Sequence, residues 1–403
     1  MKAAIISTGE ELLTGETTDT NSAWIAESLW AVGIDVVRML TVGDRFQDLH
    51  WALNQATEQA AVVFMTGGLG PTVDDRTAEA VAQWMDDSLV LHENALAQVS
   101  ARYRSQGRPL NDANRKQAWL PSTADVLENH WGTAPGFVVS KSGIRVFCFP
   151  GVPLEMKKMF GAHALPVLHP DAGPKLVRIR TFGCAESRLS ELLDGVDLGS
   201  ASLGFRAHIP EVQVKLRFPP KIPASHVSDV VDRVHAVLHR WTYNIDGGDL
   251  AETVVSELQQ AGENVCLAES CTAGMTAAWL ADVPGSSSVL ERGVVSYSNQ
   301  AKIDLLGVSE EMLSVHGAVS ESVARQMALG ARSMAGTTWG LSLTGIAGPG
   351  GGSDAKPVGT VHIAVAGPKG IVHQHAVIPG SRSQVRKRAA GAVLSLLLRT
   401  RRG

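Results

Sequence analysis

"AVVFMTGGLGPTVDD", residues 61–75, decides the fold of the first part of the chain. Five apolar residues run without alternation into Thr66, Gly67 and Gly68. So short a run bounded by glycines reads as a strand buried on both faces, which belongs in a parallel sheet covered by helices. The flanking sequence repeats the theme. "AAIIST" (3–8) is a second apolar strand, and "NSAWIAESLWAVG" (21–33) is an amphipathic helix stopped at Gly33. "IDVVRMLTVGD" (34–44) and "FQDLHWALNQATEQA" (46–60) give a further strand and helix, and "IRVFCFPGVP" (144–153) closes the unit before a helix from Leu154. The expectation for 1–168 is therefore an α/β domain with a parallel-rich sheet.

A second segment, 170–245, differs. "KLVRIRTFG" and "VQVKLRFPP" alternate as half-exposed strands do, and "ESRLSELLDGV" and "ASHVSDVVDRVHAVLHRW" read as helices. The pattern predicts a small α+β layer. The third segment, 247–403, returns to α/β: a helix "DLAETVVSELQQAG", then apolar runs "NVCLA", "RGVVSY", "WGLSLTG" and "GTVHIAVAG" with helices between. The basic end, "SRSQVRKRAAGAVLSLLLRTRRG", reads as a helix with one apolar stripe, its charges forming either a solvated face or a phosphate contact.

Composition narrows the class. Of 403 residues, 44% are hydrophobic and 19% charged, enough to build cores. The net charge of −4 offers no global attraction to nucleic acid or an anionic membrane. Four cysteines without a CxxC pair argue against a disulfide framework or thiolate zinc site. No HExxH occurs, and His373 and His375 alternate along an expected strand, as a solvated face would. The N-terminus lacks a secretory pattern and no run of 18 apolar residues occurs, so the expectation is a soluble cytoplasmic protein.

"TGGLGP" (66–71) returns as "TGIAGP" (344–349), matching at four of six positions and following a strand each time. Ligands of open α/β sheets bind beyond the carboxyl ends of strands, so both turns are site candidates. At the first, Gly67, Gly68 and Gly70 expose amides beside Asp74 and Asp75; "STGEELLTGETTDTNS" adds Glu10, Glu11, Asp19 and Asn21, and "VGD" adds Asp44 at an expected strand end. Amides suit a phosphate, and carboxylates beside them make sense if a divalent cation bridges the two. An ordinary turn with a capping Asp is the competing reading. There is neither a GxGxxG nor a P-loop motif.

At the second, "LAESCTAG" (267–274) aligns Ser270, Cys271 and Thr272 where a strand is expected to meet a helix near Glu269 or Ser270. A serine needs a base, and no Asp–His pairing is visible. Lys302, one helical turn after a strand end carrying Tyr297, could serve, with Thr344 and the glycine amides closing the site. Consecutive residues of a helix point ~100° apart, so Ser270 and Cys271 cannot share one pocket, but spacing does not choose between them.

Together "AESCTAG", "VVSYSNQAKIDLLGV", "HGAVSESVARQMA", "LTGIAGPGGG" and "KPVGTVHIA" resemble the C-terminal domain of the CinA family. "STGEELLTGETTDTNS", "TGGLGPTVDDRT", "NRKQAWLP", "GTAPGF" and "PGVPLEM" resemble its N-terminal domain, which is similar to the MoaB/MogA fold, and "GCAESRLSELL" resembles the helix of its KH-type middle domain. The resemblance implies that 247–403 deamidates nicotinamide mononucleotide without a cofactor. Ser270 is then the nucleophile, Lys302 its base and Tyr297 an assisting hydroxyl. Thr272, Gly274, Asn299, Thr344, Gly345, Gly348, Gly350 and one of Arg382 or Arg386 bind substrate. It further implies that 1–168 hydrolyses the pyrophosphate of ADP-ribose with Mg, Mn or Co, held among Asp19, Asn21, Asp44, Asp74 and Asp75, and it favours a homodimer. The family's usual glycine pair after the nucleophile is Ala273–Gly274 here. The alternative is a competence- or DNA-damage-associated interaction protein with a molybdopterin- or nucleotide-binding first domain. Against nucleic-acid binding, "LDGVDLGS" lacks the GxxG clamp of RNA-binding KH domains.

Overall fold

A computed structural model describes residues 1–168 and 173–403. The chain forms two compact units: Met1–Lys175 with Pro219–Ile222, and Leu176–Phe218 with Pro223–Gly403.

The first unit holds a six-stranded sheet in the order Asp35–Val42, Lys2–Thr8, Val62–Thr66, Ile144–Phe149, Gly136–Lys141, Asp125–Leu127. The first four strands are mutually parallel. The last two form an antiparallel edge, which the apolar pattern alone did not announce. Val62–Thr66 is buried at every position, as its composition requires. One face packs against the helices Phe46–Thr57 and Thr77–Met85, the other against Thr20–Ala31 and Pro153–Met159. From the central strand Lys2–Thr8 the chain passes first to one neighbour and then to the other. That reversal opens a crevice beyond the carboxyl ends of the strands, at Thr8, Asp44 and Gly67.

The second unit contains two sheets. Four antiparallel strands, in the order Ser202–His208, Glu211–Phe218, Lys175–Phe182, Thr242–Ile245, carry the helices Glu186–Leu193 and Ala224–Leu238. A five-stranded sheet follows in the order Leu290–Val295, Val265–Glu269, Trp339–Gly345, Thr360–Gly367, Gly370–Val377. Its first three strands are parallel and its last two antiparallel. Here too the order reverses beside the first strand in sequence, Val265–Glu269, and puts a crevice at its carboxyl end.

The helix Arg382–Arg402 corrects its sequence reading. Ala389–Leu398 is buried without interruption, so the middle of the helix lies in the core and not on it by one stripe. Its charges collect at the two ends, where Arg401 and Arg402 pair with Glu257 and Glu263. His373 also departs from expectation. Its side chain is only 8% exposed, stacks on His362 at 5.2 Å and lies 3.5 Å from Glu321. His373 lies against the helix Glu321–Ala335, whereas His375 stays exposed as expected, and desolvation lowers the affinity of His362 and His373 for a proton. Among the described residues, no helix is long and apolar enough to cross a membrane.

Candidate active site

Three strand ends meet at the crevice of the five-stranded sheet. Val265–Glu269 delivers Ser270, Leu290–Val295 delivers Ser296 and Tyr297, and Trp339–Gly345 delivers Thr344 and the glycine loop. Ser298 caps the helix Asn299–Leu306, whose fourth residue is Lys302. A lysine there points back over the first turn. Its amine lies 3.2 Å from Ser270 Oγ and donates to the carbonyl of Ser296 at 2.8 Å, with those of Tyr297 and Ser298 each at 3.4 Å.

Lys302 is 1% exposed, and this burial lowers its amine's affinity for a proton. A carboxylate within reach would oppose the shift, and two lie nearby in sequence. Glu269 is turned away, its buried carboxylate accepting from the backbone amides of Thr276 at 3.1 Å and Ala277 at 2.8 Å. Asp304 accepts from Gln300 on the exposed side of the helix. A neutral amine has two protons and one lone pair. Two carbonyls can take the protons, leaving the lone pair for the hydroxyl of Ser270.

The start of the next helix differs from the sequence reading. It begins at Met275, and Cys271–Gly274 form a turn with Ala273 at φ 50° and Gly274 at φ 86°. Cys271 is therefore not one helical step from Ser270. It packs into the core with Leu267, Leu343 and Val361, and burial pushes its thiol up to about 11. A buried, protonated thiol is no nucleophile, which leaves Ser270 as the candidate. The first amides of the helix are held by Glu269, so they are not oxyanion donors. In the turn, the amide of Thr272 has no acceptor among the described residues, and that of Cys271 meets only its own thiol.

The remaining residues fall around this pair. The two arginines separate: exposed Arg382 reaches the carbonyl of Gly348 at 2.8 Å and the hydroxyl of Tyr297 at 3.1 Å, whereas Arg386 lies deeper and donates to the carbonyl of Thr272 at 2.7 Å. Tyr297, 58% exposed, makes no hydrogen bond through its hydroxyl to Ser270 or Lys302, so its part lies at the rim. Thr344 donates to the carbonyl of Ala318 and does not offer its proton to the crevice. Thr272 is fully buried and its hydroxyl has no partner among the described residues. Gly274 ends the turn, Gly345 ends its strand, Gly348 and Gly350 lie on the loop after it, and Asn299 opens the helix that carries Lys302. A depressed lysine required Glu269 and Asp304 to face away from it, as they do, but sequence reading did not foresee the bonds of Glu269 to the helix amides or the part of the Ser296 carbonyl. Glu269 stood inside the quoted motif as one more acid; the carbonyl left no signal, because any residue has one.

In the first unit, Gly67, Gly68 and Gly70 line a cavity with Thr8, Asp44, Asp74 and Asp75. Gly67 has φ 105°, and a Cβ there would lie 2.3 Å from the carbonyl oxygen of Thr8, so packing alone already demands glycine. The five expected metal residues do not converge. Asp19 and Asn21 line a smaller cavity that adjoins the first at Thr8, Glu11 and Gly151. Asp19 caps the helix Thr20–Ala31 through Ser22 and takes the hydroxyl of Ser7, and Asn21 donates to Thr66 and to the carbonyl of Gly151. Asp44 accepts from Thr8 and the amide of Glu10, and Asp75 from Thr72. Among the described residues, no three His, Cys, Asp or Glu side chains gather at one point. The exposed carboxylate of Asp74 is uncommitted, and the buried Oδ1 of Asn21 has no donor. This hard-oxygen set fits a cation held by one or two carboxylates and by the ligand's own phosphates, not a preformed cage.

Residues 248–401 match the model of the CinA C-terminal domain, and residues 4–170 that of a probable molybdopterin binding domain. A competence/damage-inducible protein from Agrobacterium tumefaciens, of known crystal structure, is 40% identical over 38% of this chain and 93% of its own, with a TM-score of 0.37. A CinA-like protein of Geotalea uraniireducens is 40% identical over 96% of this chain and 94% of its own length. One from Anaeromyxobacter dehalogenans is 42% identical over 98% of this chain and 99% of its own. With both domains matched and identity of this order along nearly its whole length, the chain belongs to the CinA family.

Proposed function

We propose that the second unit hydrolyses the carboxamide of nicotinamide mononucleotide, giving nicotinic acid mononucleotide and ammonia. The observation that carries this reading is the buried amine of Lys302 at 3.2 Å from Ser270 Oγ, with both nearby carboxylates bonded elsewhere. Lys302 takes the proton of Ser270 as Oγ bonds to the carboxamide carbon. The turn amides of Cys271 and Thr272 hold the resulting oxyanion. The tetrahedral species collapses, the C–N bond breaks, and Lys302 returns its proton to the leaving amine, releasing ammonia. A water then gives its proton to Lys302 and attacks the acyl carbon, freeing the carboxylate and restoring Ser270. Arg382, on the rim, is the arginine suited to a substrate phosphate.

For the first unit we propose metal-dependent cleavage of the pyrophosphate of ADP-ribose. The glycine turn would face the phosphates, with Asp74 and Asp44 holding the cation. A divalent ion there would offset phosphate charge and activate a water. The experiment is to incubate the protein with nicotinamide mononucleotide, and separately with ADP-ribose, each with EDTA or with Mg²⁺, Mn²⁺ or Co²⁺. Deamidation that survives EDTA and pyrophosphate cleavage that does not are the expected results. Absence of both with folded protein would remove both proposals and leave a nucleotide-binding interaction protein.

A further inference from the structure

We propose that Glu269 and Arg386 are positioning residues that clamp the nucleophile turn from two sides and so aim its free amides at the reacting carbonyl; this rests on the amidase reading above. The turn Cys271–Gly274 is held internally only by the amide of Ala273 on the carbonyl of Ser270 and that of Met275 on the carbonyl of Thr272, and it carries a non-glycine residue, Ala273, at positive φ. Such a conformation persists only where its surroundings hold it. Two side chains do so. From inside, the carboxylate of Glu269 reaches past the whole turn to the amides of Thr276 and Ala277, while its own carbonyl accepts the amide of Ser296 at 2.9 Å. Glu269 thereby joins the strand that ends at the nucleophile, the helix after the turn, and the segment whose carbonyls hold Lys302. From outside, Arg386 donates to the carbonyl of Thr272 at 2.7 Å.

The position of that bond matters. The carbonyl of Thr272 lies in the peptide unit next to the one that carries the Thr272 amide, and the Cys271 amide lies one unit further back. Neighbouring units turn only about φ and ψ, whose allowed ranges are narrow, so fixing one unit limits the next. With the carbonyl drawn to Arg386, on the helix Arg382–Arg402, the amides are left for the substrate. Arg386 then acts through the turn, whereas Arg382, four residues earlier and exposed, is the one free to meet a phosphate. The two arginines should separate kinetically.

The test compares Arg386→Met, Arg386→Lys, Glu269→Gln and Arg382→Met for kcat and KM on nicotinamide mononucleotide, for melting temperature, and for the rate at which a fluorophosphonate labels Ser270. A shift of ~1 Å in catalytic geometry is enough to lower a rate by ~10²-fold. Arg386→Met is expected to lose about that much kcat with KM within about twofold, and to label more slowly in proportion. Arg386→Lys keeps one donor for the carbonyl and should recover at least ~10-fold of that loss. Glu269→Gln, which keeps a single acceptor oxygen, should lower kcat and spare KM. Arg382→Met should raise KM and spare labelling. A raised KM with unchanged kcat in Arg386→Met would make Arg386 a substrate ligand and overturn the proposal. So would an Arg386→Lys protein with native melting and no recovery. If Arg386→Met fails to fold, Arg386→Lys decides. If the wild type does not turn over nicotinamide mononucleotide, the amidase reading fails, and labelling alone judges the clamp: equal rates in wild type and Arg386→Met would refute it.

Discussion

Replacing Lys302 with Met probes base and packing together. Methionine is of similar length and apolar, and cannot accept a proton. The amine it replaces lies 3.2 Å from Ser270 Oγ and 2.8 Å from the carbonyl of Ser296. Loss of a positioned general base typically lowers kcat/KM by ~10²–10⁴-fold. Stability should move far less. Burial of the methionine side chain is favourable by ~1.5–3 kcal/mol, while carbonyls left without a donor cost about 1–3 kcal/mol, so the terms nearly cancel. The pH dependence separates the effects. In the folded protein the amine's proton affinity is lowered by desolvation; in the unfolded chain a lysine titrates near ~10.4. Between those two points the unfolded chain binds the extra proton, so wild-type stability rises with pH across that window and the contribution falls away below it. The methionine side chain has no proton to bind, so Lys302→Met should lose that slope. Activity follows the same group: wild-type kcat/KM should rise with pH to a plateau as Lys302 deprotonates. The assay is ammonia release from pH 5 to 10 alongside thermal melts. A Lys302→Met protein retaining more than about a tenth of the activity, or a flat wild-type profile, would refute Lys302 as the base. A collapse of the variant's melting temperature at neutral pH would show that Lys302 chiefly holds the carbonyls as a charged ammonium.

Ser270→Ala should lower deamidation by at least ~10³-fold, whereas Cys271→Ala should keep most of the activity. The thiol, pushed up to about 11, should resist iodoacetamide at pH 8 in native protein, as intact mass would show. Ala273→Gly relieves a positive φ at about 1–2 kcal/mol against Gly's entropy of ~0.5–1 kcal/mol, so denaturant unfolding should show a gain of a few tenths to about 1 kcal/mol. Asp74→Asn should abolish metal-dependent ADP-ribose cleavage and leave deamidation intact. It is a cleaner test than a change at Asp75, which also holds Thr72.

The strands that frame both crevices were legible because a strand buried on both faces must be apolar throughout, or nearly so, as in Val62–Thr66 and Val265–Glu269. The lysine and serine could be placed at neighbouring strand ends for the same reason. What the sequence concealed was conformational. Ser270 followed by small residues looks like a helix cap, yet Ala273 takes a positive φ that its identity does not advertise. Glu269 has the composition of a surface acid, and only its burial beneath two helix amides gives it a structural part. The alternation of His373 and His375 marked a strand face correctly but not what covers it. Asp44 was legible at a strand end, and Asp74 and Asp75 beside the glycine turn. The division of the first unit's carboxylates between two cavities follows from local duties, as with Asp19 capping its helix, which spacing cannot rank above metal binding.

The central claim is that Ser270 attacks the carboxamide and Lys302 accepts its proton. The most direct measurement is product mass after incubating nicotinamide mononucleotide with wild type, Ser270→Ala and Lys302→Met in ¹⁸O-water with EDTA. The expected result is nicotinic acid mononucleotide carrying one ¹⁸O from the wild type, with ammonia in equal amount, and next to none from either variant. Undiminished labelled product from Ser270→Ala, or no product from folded wild-type protein, would contradict the claim.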